Sequence, residues 1–141
     1  MTIVIHHNPD CCTSRNALRL IRDAGYNPVV VPYLETGWTR PQLQALFAAA
    51  GLTPRQALRE RRSPAAELGL LKPDVSDEAL LDAMIQHPIL VERPIVACSR
   101  GVKLCRPSGA VLDLLEQWPA GPWAKEDGQI VIDGDGNRVG D

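Results

Sequence analysis

The order of apolar patterns along the chain predicts an α/β domain that runs βαβ, a helical insertion, then ββα. Two observations carry this. Short β-branched runs alternate with stretches whose apolar residues recur every three or four positions. Each change of pattern is marked by Pro, Gly or a capping residue. At 141 residues, 45% of them hydrophobic and 23% charged, the chain is most simply one domain, able to bury a core without metal or disulfide staples.

"TIVIHH" at the N-terminus is a β-branched run that stops at the turn signal Asn8-Pro9, and it reads as a buried strand. From Ser14 onward Ala17, Leu18, Ile21 and Ala24 recur at helical spacing, with Gly25 as the C-terminal stop. "NPVVVPY" (27–33) is a second strand, and the missing amide of Pro32 assigns it to a sheet edge. Thr39 with Gln42, and Thr53 with Gln56, both have capping-box spacing, the second with Pro54 at the first helical position. Ser76 caps a further helix whose apolar face is Leu80, Leu81, Met84 and Ile85, up to His87-Pro88. "IVAC" and "VKLC", separated by Ser99-Arg100-Gly101, form a hairpin. A final amphipathic helix is expected from near Ser108, with Val111, Leu114, Leu115 and Trp118 on its apolar face.

The tail from Pro119 is rich in Gly, Asp and Pro, with one possible strand at "QIVID". It reads as a wrapped or partly mobile extension over 119–141, following a domain of residues 1–118 whose helical insertion covers about 39–87. "DGDGN" (133–137) has the alternate oxygen ligands that begin a calcium loop but neither its glycine nor its terminal glutamate, and is a turn.

A formal net charge of −2 leaves no electrostatic footprint for nucleic acid or an anionic membrane. The N-terminus lacks a charged segment followed by a long apolar one, and no apolar run approaches the roughly 20 residues that span a bilayer. A cytoplasmic location is the expectation. There the four cysteines, Cys11, Cys12, Cys98 and Cys105, are expected as thiols rather than as a disulfide framework. No Cys-x-x-Cys pair with zinc-finger spacing occurs, so no metal site is expected.

The chemistry concentrates in "HHNPDCCTSRN" (6–16), at the first strand-to-helix turn. Ligands of open α/β sheets gather where strands end and helices begin. A helix starting near Thr13 or Ser14 aims unpaired amides and a positive dipole end at the Asn8–Cys12 loop. That arrangement binds anions and lowers the pKa of a cysteine placed there. Arg15 and His7 are candidates to add positive charge, while His6 continues the strand as a structural residue. Cys11 and Cys12 both remain eligible as the nucleophile. Their Cα atoms, about 3.8 Å apart across a trans peptide, are too close for an ordinary disulfide.

"HNPDCCTSRN" resembles the His-Asn-Pro-x-Cys-x-Thr-Ser-Arg-Asn loop of the glutaredoxin-dependent arsenate reductases. The likeness continues in order through "YLE" (33–35), "ALRE" (57–60), "QHPILVERPIV" (86–96) and "LCRPSGAVLDLL" (104–115), covering residues 2 to about 128. It implies a thioredoxin-like fold with inserted helices and assigns the nucleophile to Cys11. It also implies that His7 tunes the thiol, that Arg59, Arg93 and Arg106 bind the oxyanion with Ser14 and Arg15 in the loop, and that Pro94 is the cis-proline facing the site. Three guanidiniums, planar and always charged, complement a tetrahedral oxyanion. Arg61 and Arg62, next to Arg59 in "RERR", are competitors for its place.

The resemblance further implies that arsenate is reduced to arsenite, with glutathione as co-substrate, glutaredoxin as partner and no bound cofactor. A related thiol oxidoreductase acting on another substrate is an alternative. So is a regulator of the same fold that binds RNA polymerase, although that group carries Cys-x-x-Cys in the loop. One position departs from the pattern: Cys12 stands where the family usually has glycine. Cys105 is expected to pack in its strand, and Cys98 has no assigned role.

Overall fold

The computed structural model describes residues 1–140 and divides into two compact units, one formed by Met1–Val31 with Arg93 onward, the other by Pro32–Glu92. In the first unit β1 (Val4–His6), α1 (Cys12–Asp23) and β2 (Val29–Val31) form a βαβ crossover, with Val4, Ile5 and His6 paired in parallel to Val29, Val30 and Val31. β3 (Ile95–Cys98) then pairs antiparallel to β1, and β4 (Gly101–Leu104) returns antiparallel to β3 across Ser99-Arg100. The sheet order β2-β1-β3-β4 puts β2 at an edge, between Pro28 and Pro32, as the missing amide donors require.

α1 ends where Gly25, at φ +99°, turns the chain: its N–H donates to Arg22 O at 3.0 Å, and Tyr26 N–H to Ile21 O at 3.2 Å. The inward face of α1 presents Ala17, Leu18, Leu20 and Ile21 to Ile3, Ile5 and Val96 from the sheet, all buried in one cluster. The expected last amphipathic helix is instead a 3-10 helix over Ser108–Leu114, shorter than the apolar pattern suggests. Pro107 precedes it and Leu115 is extended at φ −103°, ψ 135°. The 3-10 turn eclipses positions three apart, so Val111 with Leu114 and Leu112 with Leu115 line its buried side. Trp118 lies past that helix, half-exposed, its indole N–H on Leu112 O at 3.1 Å.

The tail folds into a second antiparallel pair, β5 (Trp123–Ala124) with β6 (Ile130–Ile132). Trp123, Val131 and Ile132 belong to the same buried cluster as α1 and the sheet. Residues read from composition as an extension therefore contribute core. "DGDGN" is a turn closed by Asp133 Oδ1, which accepts the N–H groups of Asp135 and Asn137, each at 2.9 Å.

The second unit holds the inserted helices α2 (Tyr33–Thr36), α3 (Arg40–Ala50) and α4 (Asp77–Gln86). The Thr39–Gln42 capping box opens α3, and Ser76 Oγ accepts Ala79 N–H at the start of α4. Leu43 and Phe47 of α3 are buried, as are Leu80, Leu81 and Met84 of α4. Thr53 and Gln56 form the reciprocal bonds of a capping box, at 2.9 and 3.2 Å, but no helix follows, contrary to the sequence pattern. Leu58 instead bridges Val91, with Arg59 N–H on Leu90 O at 2.7 Å and Glu92 N–H on Ala57 O at 2.8 Å. Those pairings take the backbone groups that a helix would have used.

Candidate active site

β1 ends at His6, and the chain reaches α1 through a turn built by Asn8. Its side-chain Oδ1 accepts Asp10 N–H at 2.9 Å, and its carbonyl accepts Cys11 N–H at 3.1 Å. The turn delivers Cys11 to the N-cap of α1 in extended conformation, one position before Cys12 begins the helix. The helix thus starts a residue or two earlier than the apolar spacing suggests. The two cysteines separate physically: Cys11 is buried at 6% exposure, whereas Cys12 is exposed. Arg62 is the one non-glycine residue with positive φ among the described residues, so Cys12 sits in a backbone conformation that needs no glycine.

Burial alone pushes the Cys11 thiol up, yet the thiol lies below its ordinary value. The amide of Ser14, the guanidinium of Arg93 by charge and by hydrogen bond, and the amide of Thr13 together outweigh desolvation. Arg106 completes the positive side, its Nη1 lying 3.9 Å from Cys11 Sγ and donating to Arg93 O at 3.2 Å. Arg93 precedes β3 and Arg106 follows β4, so one hairpin brings both to the sulfur. The Arg93–Pro94 peptide is cis, as the resemblance implies.

Behind the thiol, Ser14 is fully buried. Its Oγ accepts Asn8 N–H at 3.1 Å and lies 2.6 Å from His7 Nδ1 in a shared hydrogen bond. Burial first, then Arg22 and Arg15, hold the His7 pKa below its usual range. The imidazole is therefore neutral at pH 7 and meets the loop as a hydrogen-bonding group, not as the extra positive charge considered from sequence. Arg15 is turned to other partners: Nε and Nη2 donate to the Glu126 carboxylate at 2.8 and 3.0 Å, and Nη1 donates to Pro9 O at 2.8 Å.

Arg59 belongs to the second unit. It is buried at 7% exposure, with Nε on Arg61 O at 2.9 Å, whereas Arg61 and Arg62 are exposed. Burial separates Arg59 from the two basic neighbours that sequence spacing could not rank. Of the other cysteines, Cys105 is buried just beyond β4, and burial pushes its thiol up to about 12. It stays protonated at neutral pH and is a poor attacking group. Cys98 is half-buried, its thiol facing Leu114 O at 3.7 Å.

Among the described residues no cluster of three His, Cys, Asp or Glu side chains has metal-ligating geometry, and no helix is long and apolar enough to cross a membrane. The sequence carries no signal for Glu126, and none for the role of Asn16, which closes the loop motif. Glu126 is 111 positions from Arg15, and no local pattern signals that pairing.

A thioredoxin-like α/β domain with a thiolate-favouring cysteine at the N-cap of its first helix, backed by guanidiniums, defines a class of cysteine-nucleophile proteins. Within that class, the ArsC family model matches residues 6–114, and the chain belongs to the ArsC family. It is 64% identical over 137 residues to the arsenate reductase ArsI2 of Synechocystis sp., covering 97% of this chain and 98% of that protein. To an arsenate reductase of Rhizobium meliloti it is 55% identical, with 99% of each chain covered. The solved arsenate reductase from Vibrio cholerae superposes with a TM-score of 0.77 at 40% identity, over 82% of this chain and 98% of that one.

Proposed function

We propose that this protein is an arsenate reductase in which Cys11 is the nucleophile. The observation that carries this reading is the Cys11 thiol, lowered in pKa at the helix N-cap and faced by Arg93 and Arg106, in a chain that aligns end to end with arsenate reductases. Arsenate binds at the loop amides and the guanidiniums of Arg93 and Arg106. The Cys11 thiolate attacks arsenic and hydroxide leaves, giving a thiol–arsenate adduct. The amides and guanidiniums stabilise the negative charge that builds on the arsenic oxygens. Ser14 and the neutral His7 hold the loop in the attacking geometry.

Glutathione is the co-substrate. Its thiolate attacks the Cys11 sulfur, the arsenic–sulfur bond breaks, and the electron pair stays on arsenic, which leaves as arsenite in the +3 state. The two electrons come from two thiols, leaving a Cys11–glutathione mixed disulfide. Glutaredoxin removes the glutathionyl group by thiol–disulfide exchange and restores the Cys11 thiol. The chain itself needs no bound cofactor for this sequence, and a reducing cytoplasm supplies the thiols.

Arsenate-dependent NADPH oxidation, coupled through glutathione, glutaredoxin and glutathione reductase, tests the reading. Wild type turns over, Cys11→Ser loses all detectable activity, and the exposed Cys12→Ser stays within about twofold of wild type. Activity in Cys11→Ser would overturn the nucleophile assignment. A folded but inactive wild type would move the reading to a thiol oxidoreductase with a different substrate.

A further inference from the structure

Resting on Cys11 as the nucleophile, we propose that Glu126 is a positioning residue of the active-site loop, acting through Arg15 to brace Pro9 O and to compensate a guanidinium beside the thiol. The geometry is a continuous strut. Glu126 takes two hydrogen bonds from Arg15, at 2.8 and 3.0 Å, and the remaining arm of the same guanidinium donates to Pro9 O at 2.8 Å. Pro9 follows Asn8, whose carbonyl accepts the Cys11 N–H at 3.1 Å. The strut therefore ends on the turn that places the sulfur.

Glu126 stands on a fixed mount. Its own N–H donates to Asn16 Oδ1 at 3.0 Å, and Asn16 is buried at 4% exposure in α1, so the β5–β6 turn grips α1 at two successive residues. Lys125 N–H on Gln129 O and Gly128 N–H on Lys125 O, both at 2.9 Å, close that turn. Below it Trp123 lies under Arg19, 4.3 Å from guanidinium carbon to ring centre, and its indole N–H donates to Asp23 Oδ2 at 2.8 Å. The Arg15 and Glu126 side chains are about 40% exposed, at 41% and 40%, and such a pair contributes little to stability by itself. Its two-point mount and its reach to the thiol loop are what a positioning role requires.

The charges sense one another. Arg15 is raised first by Glu126 and further by the charges of Cys12 and Cys11, so the guanidinium stands in the field of the thiol loop and Glu126 offsets its charge there. Arg93 and Arg106 face Cys11 from the β3–β4 hairpin, and His7 lies behind Ser14. Glu126 itself is held low first by its hydrogen bonds from Arg15 and further by the charges of Arg15 and Arg19, so the Arg15 background separates the strut from the rest of its surroundings.

The test measures the alkylation rate of Cys11 against pH, with the labelled peptide identified by mass spectrometry, in wild type, Glu126→Gln and Glu126→Asp. Each Glu126 variant is also made in an Arg15→Gln background. Glu126→Gln should lower the apparent thiol pKa by a few tenths of a unit, the size of one surface charge removed at about a Debye length in water, with the shift shrinking in roughly 1 M salt. It should lower kcat several-fold while the thermal midpoint holds. Glu126→Asp keeps the charge and should keep the wild-type pKa. With Arg15→Gln present, the Glu126→Gln effect on kcat should vanish, since no strut remains to be lost. Superimposed profiles for wild type and Glu126→Gln, or an equal fall in kcat with and without Arg15, would overturn the proposal. Alkylation needs no arsenate, so this failure is distinct from activity surviving in Cys11→Ser, which would overturn the nucleophile reading instead.

Discussion

A single nitrogen of Arg106 lies 3.9 Å from the Cys11 sulfur and 3.2 Å from the main-chain oxygen of Arg93. The two arginines that flank the β3–β4 hairpin are therefore not equivalent. Arg93 stabilises the thiolate by charge and hydrogen bond, and its backbone also holds the Arg106 guanidinium in place.

That asymmetry predicts different phenotypes for the two charge deletions. Arg93→Met should raise the pKa of Cys11 in an alkylation profile and reduce kcat/KM by on the order of 10²-fold. Arg106→Met should lower kcat/KM by a similar factor through a higher KM for arsenate, with a smaller change in the thiol profile. Equal displacement of the thiol pKa by both substitutions would contradict this division.

Ser14→Ala removes the acceptor of Asn8 N–H and the hydrogen-bond partner of His7 Nδ1, both buried. Leaving buried polar groups unsatisfied costs about 1–3 kcal/mol each, so urea unfolding should show a loss in that range or above. The Ser14 amide that favours the thiolate survives in alanine. The thiol should therefore remain more acidic than an ordinary cysteine, and a return to ordinary acidity would show that the hydroxyl, not the amide, sets it.

Local signals were legible wherever neighbours in sequence are neighbours in space. The βαβ start, the edge strand at Val29–Val31, the Thr39–Gln42 box, the Ser76 cap and the β3–β4 hairpin all follow from residues within a few positions of one another. The same logic failed at Thr53–Gln56, where the local bonds formed but a long-range pairing of Leu58 with Val91 took over the backbone. It failed again for the last helix, because the proline and glycine around Ser108 tighten the turn and Leu115 then extends. In the site, spacing pointed to an anion-binding thiol loop, but ranking Cys11 over Cys12 required either the family pattern or the observed burial. The Glu126–Arg15 pairing left no trace in any local window.

Because the tail closes the core of the first unit, Ile132→Ala should behave as a core truncation. The side chain is fully buried, and such a change costs about 2–5 kcal/mol. Val139→Ala, at a position 38% exposed, should stay within about 0.5 kcal/mol of wild type. Chemical denaturation of the two variants compares them directly. An Ile132→Ala protein as stable as wild type would mean that the tail contributes no core.

Acid should destabilise the protein well before its carboxylates titrate, and His6 is the main reason. Burial lowers its pKa from 6.5 to about 4, so below pH 6.5 the unfolded chain binds a proton that the folded protein refuses. The stability that depends on neutral His6 is thus fully present above pH 6.5 and is lost as pH falls toward about 4, at roughly 1.4 kcal/mol per unit. His7, also lowered by burial, acts in the same direction. Between pH 7 and pH 5 the wild type should lose about 2 kcal/mol through His6, and His6→Gln should lose correspondingly less. Urea midpoints at the two pH values measure the difference. Parallel losses in wild type and His6→Gln would assign the acid sensitivity to other groups.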